Sequence, residues 1–184
     1  SVGVITNLIA PLKWKNLGAL LVGFSGSWLA GSLFWGWLAS HPLLHLPVEA
    51  FALPLAITGL QTRWRLGCAF YLASLVGTAF TDLAMALTGV MTLWPAVVGA
   101  STTEATVLLQ DAATFVLRPS SLLTVIAAGA IIVQLVQYCR HRSSLSNATD
   151  KAWGIAAAVL FTTLLIDGLF LSLSLLAPEL SGLV

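Results

Sequence analysis

Four stretches of this chain, Asn16 to Ala39, Leu66 to Leu93, Ser120 to Cys139 and Ala152 to Ala177, are long and almost wholly apolar. Each reaches the roughly 20 residues that a helix needs to cross the hydrocarbon core of a bilayer. No water is present there to satisfy free backbone groups, so a run of this kind must close its own hydrogen bonds as a helix. The runs are too long and too many for a removable signal peptide. Composition agrees, with 58% of the 184 residues hydrophobic and 8% charged, against about 25% charged in soluble domains. A net charge of +1 provides no basic surface for nucleic acid, and so apolar a chain is not a disordered tail. The expectation is an all-α, polytopic membrane protein, one transmembrane helical domain over residues 1–184.

A fifth segment, Leu43 to Leu60, is shorter, carries His45 and Glu49, and is interrupted by Pro47 and Pro54. It either crosses as a kinked helix or dips in and returns. Short cytoplasmic loops accumulate Lys and Arg, which separates the two cases. If it crosses, Lys13, Lys15, Arg63, Arg65, Arg140, Arg142 and Lys151 fall on one side and only Arg118 on the other. If it returns, Lys13, Lys15 and Arg118 face the other five, a nearly random split. Tryptophans, which gather at membrane interfaces, side with crossing: Trp14, Trp64 and Trp153 then lie at the inner boundary, and Trp35, Trp37 and Trp94 at the outer one. Five spans are expected, near 16–39, 43–60, 66–93, 120–139 and 152–177, with the N-terminus inside and the C-terminus outside.

The inner loop Arg140 to Lys151 is polar and contains the sequon Asn147-Ala148-Thr149, which an inner location leaves unused. In the outer loop, Pro95 to Pro119, Ser101 and Glu104 have capping-box spacing. Ala105, Leu108, Ala112 and Phe115 follow at helical spacing, opposite Gln110, Asp111 and Thr114. A short amphipathic helix is expected there, lying on the outer surface or docking a partner.

Lipid tails give helices no hydrophobic drive to associate, so small residues that let backbones approach are informative. Gly23, Ser27 and Gly31 recur every four residues along one side of the first span, and Gly67, Ser74, Gly77 and Thr78 serve similarly in the third. These faces pack within the chain or dock onto other membrane subunits.

Glu49, Asp82 and Asp167 lie inside predicted spans, where a carboxylate costs a few kcal/mol. Asp82 follows Arg65 by 17 residues and Asp167 follows Lys151 by 16, on helices leaving the same surface. At 1.5 Å per residue they reach nearly one depth; Glu49, 14 residues before Arg63, lies close to it. No intramembrane Lys or Arg is available to them. They are expected to be protonated and bonded to groups such as Thr78, Thr81, Thr162 or Thr163, as a neutral pin between helices. A proton or cation pathway, or contacts to a bound pigment or lipid head group, are the other readings.

His41, His45 and Glu49 are spaced four apart, one face of a continuous helix, although Pro42 and Pro47 interrupt it. A metal site, a magnesium ligand for chlorophyll, and head-group hydrogen bonding remain open for them. Cys68 and Cys139 are expected as free thiols behaving like small apolar residues. No nucleophile elbow, P-loop, dinucleotide fingerprint or zincin helix occurs, so no enzyme activity is expected.

The stretch GFSGSWLAGSLFWGWLASHPLLHLPVEAFALP, Gly23 to Pro54, resembles the signature of a cyanobacterial family of integral membrane proteins of unknown function. YLASLVGTAFTDLAMALTG, Tyr71 to Gly89, and LLIDGLF, Leu164 to Phe170, resemble it too. Members carry extra hydrophobic sequence at the N-terminus, which Ser1 to Leu12 would represent in part. The resemblance transfers no catalytic residue. It implies a photosynthetic organism and a thylakoid membrane, N-terminus cytoplasmic and C-terminus lumenal. The leading expectation is therefore a non-catalytic thylakoid protein that joins or helps assemble a photosystem or related complex. Gly23, Ser27 and Gly31 would meet partner helices, lipid, chlorophyll or carotenoid, and His41 or His45 would be the candidate chlorophyll ligands. The alternative is a small proton- or cation-coupled transporter whose carboxylates are Glu49, Asp82 and Asp167.

Overall fold

The structure, a computed structural model, describes residues 2–9, 12–145 and 151–180. The sequon at 147–149 lies outside them. Every regular element among the described residues is helical. Five segments are long and apolar enough to cross a membrane: Trp14–Leu38, Pro42–Gly59, Arg65–Thr88, Pro119–Leu145 and Ala152–Leu176. The chain is an integral membrane protein whose outer surface contacts lipid.

A short helix α1 (Val2–Ile9) folds back on α2 (Leu12–Leu33), with Gly3 against the Gly18 carbonyl and Leu21. Sequence reasoning assigned no element to these first residues. α2 continues into one π-helical turn, Phe34–Leu38. The second span is broken: a 3₁₀ turn at Pro42–Leu44, α3 (His45–Glu49), a second 3₁₀ turn at Ala50–Ala52, and α4 (Leu53–Gly59). Prolines interrupt the hydrogen-bond ladder here, and a neighbouring helix repairs it. Tyr71 Oη accepts from the Ala52 N–H at 3.1 Å and donates to the Glu49 carbonyl.

This broken span crosses rather than returns. It runs antiparallel to α5 (Arg65–Thr88) along its length, Gly59 meeting Cys68 at one end and His45 meeting Asp82 at the other. Gly89, at φ 80°, ends α5 earlier than the run of apolar residues suggests, because glycine adopts the left-handed conformation that closes a helix. α6 (Trp94–Gly99) and α7 (Thr102–Val116) follow. α8 (Pro119–Leu145) then returns, remaining helical past Cys139, and α9 (Ala152–Leu176) completes the bundle.

Close backbone approach sets the registers. A Cβ on Gly23 or Gly67 would stand 2.2 Å from a carbonyl of the facing helix, so α2 and α5 touch backbone to backbone. A Cβ on Gly77 would stand 2.8 Å from the Thr163 hydroxyl of α9, so there a side chain packs against the glycine. Gly31 has no atom within 4 Å of its Cβ position. The small-residue stripe of α2 is thus closed at Gly23 and open at Gly31. Leu66, Ala69, Ala19 and Ala152 form one buried cluster with Trp64 against it. It lies at the end of the bundle where Arg63, Arg65 and Lys151 gather, while Trp35 and Trp94 pair edge-to-face at the opposite end, 5.8 Å apart.

α7 does form, and Glu104 closes the capping box by accepting from the Ser101 hydroxyl at 2.7 Å and its N–H at 3.3 Å. Those two bonds hold the Glu104 carboxyl below its ordinary titration range. Its buried face is rotated from the expected one: Ala105, Leu109, Ala112, Ala113 and Val116 are buried, whereas Leu108 stays on the exposed edge. The apolar face is turned towards the chain's own helices, where Ala112 and Val116 pack with Val90, Met85, Val125 and Leu171.

Candidate functional site

The π turn at the end of α2 starts the site. Widening of one turn redirects side chains, and such turns concentrate at functional positions. Here it directs Phe34, 2% exposed, onto the imidazole of His45, the rings stacked at 4.2 Å and 28°. The stack fixes the plane of the imidazole, and two carboxyls hold its edges. Nδ1 lies 3.1 Å from Asp82 Oδ1 and Nε2 lies 3.5 Å from Glu49 Oε1. His45 and Glu49 are one turn apart on α3, which makes them neighbours. The Tyr71 bonds to the Glu49 carbonyl and the Ala52 amide pin this short helix in place.

Asp82 and its predecessor serve two different helices. On α5, Gly77 permits close approach to α9 at Thr163, and one turn later Thr81 donates to Asp167 Oδ2 at 2.6 Å. Asp82, the next residue, points to His45 on α3. Because Thr81, the neighbour of Asp82, bonds Asp167, the two carboxyls stand at one level of the bundle, and Thr81 is one of the four threonines expected to bond them. The group that stands between Glu49 and Asp82 is an imidazole, His45, rather than a Lys or Arg. The four-residue spacing of His41, His45 and Glu49 gives no signal of Asp82, which lies on another helix. His41 lies outside the helix at φ −121°, exposed, with Nδ1 beside the Ser40 hydroxyl at 3.2 Å, and does not join the cluster. Phe34 and Tyr71 were missed, since one aromatic in an apolar span carries no signal of what it touches.

Phe34, His45, Thr81, Asp82 and Asp167 form part of the wall of a cavity of about 680 Å³ between α5, α8 and α9, covered by α7. That size lies within the range of small-molecule sites, roughly 300–1,000 Å³. Its wall is mainly apolar, including Phe80, Met85, Leu109, Val116, Val125 and Phe170, with Trp35 and the exposed Ile166 at the edge. His45, Asp82 and Asp167 face it from one side. Three carboxyls against one imidazole would leave two negative charges in excess if every group ionised. The interior of a membrane makes that costly.

Among the described residues, no group of three His, Cys, Asp or Glu side chains is arranged to hold a metal ion. His45, the one imidazole lining the cavity, has both ring nitrogens on carboxylates and none free for the magnesium of a pigment. Cys68 and Cys139 are free thiols, the second buried.

A second, shallower groove of about 410 Å³ lies on the outer face of α2, between Phe24, Ser27, Trp28, Gly31 and Trp35 and, on α5, Phe70 and Ser74. The Ser27 hydroxyl at its base is buried without a hydrogen-bond partner among the described residues.

No curated protein and no solved structure matches the chain. A family model does, over residues 2–175: the chain belongs to DUF3120, a family of proteins of unknown function.

Proposed function

We propose that the chain is a small proton-coupled membrane transporter for an apolar or amphiphilic molecule. One observation carries this reading: His45, Asp82 and Asp167 stand on the wall of an apolar cavity inside a five-span bundle, with Glu49 behind His45. Intramembrane ionisable groups are costly and cluster on proton and substrate pathways. Protons move within the cluster between Glu49, His45, Asp82 and Asp167, with the Tyr71 phenol the other titratable group against α3. The protein acts without covalent chemistry on its cargo.

The test is proton entry into liposomes that contain the purified chain and an internal pH-sensitive dye, driven by a potassium diffusion potential. Entry above that of protein-free vesicles is expected, and Asp82→Asn and Asp167→Asn should abolish it in protein that remains folded. No excess entry, or equal entry through both variants, overturns the proposal.

A second reading follows from the resemblance and from the groove on α2. In it the chain sits in the thylakoid with its basic end cytoplasmic, and a helix of a photosynthetic complex covers Gly31 and satisfies the Ser27 hydroxyl. In that arrangement His41, exposed at the opposite end, is the histidine free to meet a pigment. Isolation under mild detergent, with an absorption spectrum and subunit identification, tests this. Chlorophyll or carotenoid bands with photosystem subunits support it, and a colourless solitary protein refutes it.

A further inference from the structure

We infer that the cavity takes an amphiphile carrying a primary amine on an apolar tail, with Asp167 as the anchor of the amine. This rests on reading the cavity as a ligand site and adds the chemistry of the ligand. Elimination among the polar groups on the wall leads to it. Thr88 donates to the carbonyls of Ala84 and Met85, Thr163 to Val159, and Ser174 to Phe170, so these hydroxyls already donate to their own helices. Thr81 donates to Asp167, and His45 is held by Glu49 and Asp82. Apart from the indoles of Trp35 and Trp94, which pair edge-to-face at one end of the cavity, what remains for the head of a ligand is acceptor capacity on carboxyls.

Asp82 is engaged by an imidazole, whereas Asp167 is met by one hydroxyl and by no basic side chain among the described residues. Beside Asp167 there is also room: at Gly168, which lines the cavity, no atom lies within 4 Å of the Cβ position. No Lys or Arg lines the cavity. An anionic head would face Asp82 and Asp167 without a free cation to receive it, since His45 is held by Glu49 and Asp82, while an ammonium reduces the excess of negative charge and can donate three hydrogen bonds. The apolar wall formed by Phe80, Met85, Val125, Leu164 and Leu171 receives the tail.

Purified full-length chain in detergent provides the test, because Cys139 is buried and a thiol-reactive dye reports its exposure on unfolding. Dodecylamine, dodecanol and dodecanoate, matched in tail length, are compared. At a hundredfold excess over Kd, dodecylamine should raise Tm by about 5–10 °C, and the other two should not. Asp167→Asn should weaken the amine by roughly tenfold or more, the worth of one hydrogen bond to a charged group. If that variant does not fold, Gly168→Leu occupies the head space with every carboxyl retained and should remove the same response. Phosphatidylethanolamine in place of dodecylamine separates the sources: stabilisation by it assigns the amine to a lipid head group, and stabilisation by dodecylamine alone to a free amine. Equal shifts with dodecanol, a shift with dodecanoate, or an undiminished amine response in both variants overturns the inference. Amine binding without proton entry into liposomes would refute transport and leave the ligand assignment standing. Proton entry without amine binding would do the reverse.

Discussion

Replacing His45 by Phe isolates the charge at the centre of the cluster, because an aromatic ring is kept against Phe34 while both donors are lost. With the imidazole protonated, Asp82 at 3.1 Å and Glu49 at 3.5 Å each gain roughly 5 kcal/mol at an effective dielectric of about 20. Desolvation of the three groups offsets most of that gain. The cost of His45→Phe is dominated by two carboxylates left close together without a cation, and breaking a buried pair in this way costs about 3–5 kcal/mol. For a chain of this length that corresponds to a fall in Tm of about 6–20 °C, read by thiol labelling of Cys139 on unfolding. The decisive comparison is the second substitution. In the wild type Asp82→Asn removes one partner of the pair and destabilises; in the His45→Phe background it removes an unpaired charge and should restore part of the loss. If His45→Phe costs about 1 kcal/mol and Asp82→Asn brings no recovery, the cluster is a set of neutral hydrogen bonds and the ion-pair reasoning fails.

Three further outcomes follow from the packing. Gly67→Ala drives a methyl to within 2.2 Å of the Ala19 carbonyl, so α2 and α5 must separate at a cost of about 1–3 kcal/mol or more; Gly31→Ala meets no atom and should be neutral or gain up to about 1 kcal/mol from helix propensity, both read as shifts in Tm. Tyr71→Phe strands the Ala52 N–H and the Glu49 carbonyl, a loss of about 1–3 kcal/mol, and hydrogen exchange should rise at residues 49–53 before it rises elsewhere. Because Ser101 lowers the Glu104 titration range, the contribution of that carboxylate to α7 is complete above the ordinary carboxylate range and disappears as pH falls through the lowered value. Hydrogen exchange at residues 102–105 should therefore increase in acid, and Ser101→Ala should remove most of that pH dependence.

The linear chain determined what sits in the membrane and at which depth. Hydrophobic length, basic residues gathered at alternate loops and tryptophans at helix ends all depend on position along the chain, so five spans and the level of Asp82 and Asp167 could be counted from residue spacing. The capping box of α7 was legible for the same reason, since its partners are three residues apart. Rotation and long-range contact were not. The face of α7 that is buried, the closing of Gly23 on Gly67 while Gly31 stays open, and the choice of His45 as partner for Asp82, 37 residues away, depend on how helices turn about their axes. An apolar helix has little amphipathic preference to set that rotation. In lipid it is set by backbone approach at a few glycines and by polar groups that must find one another, and those contacts exist only once the helices are packed.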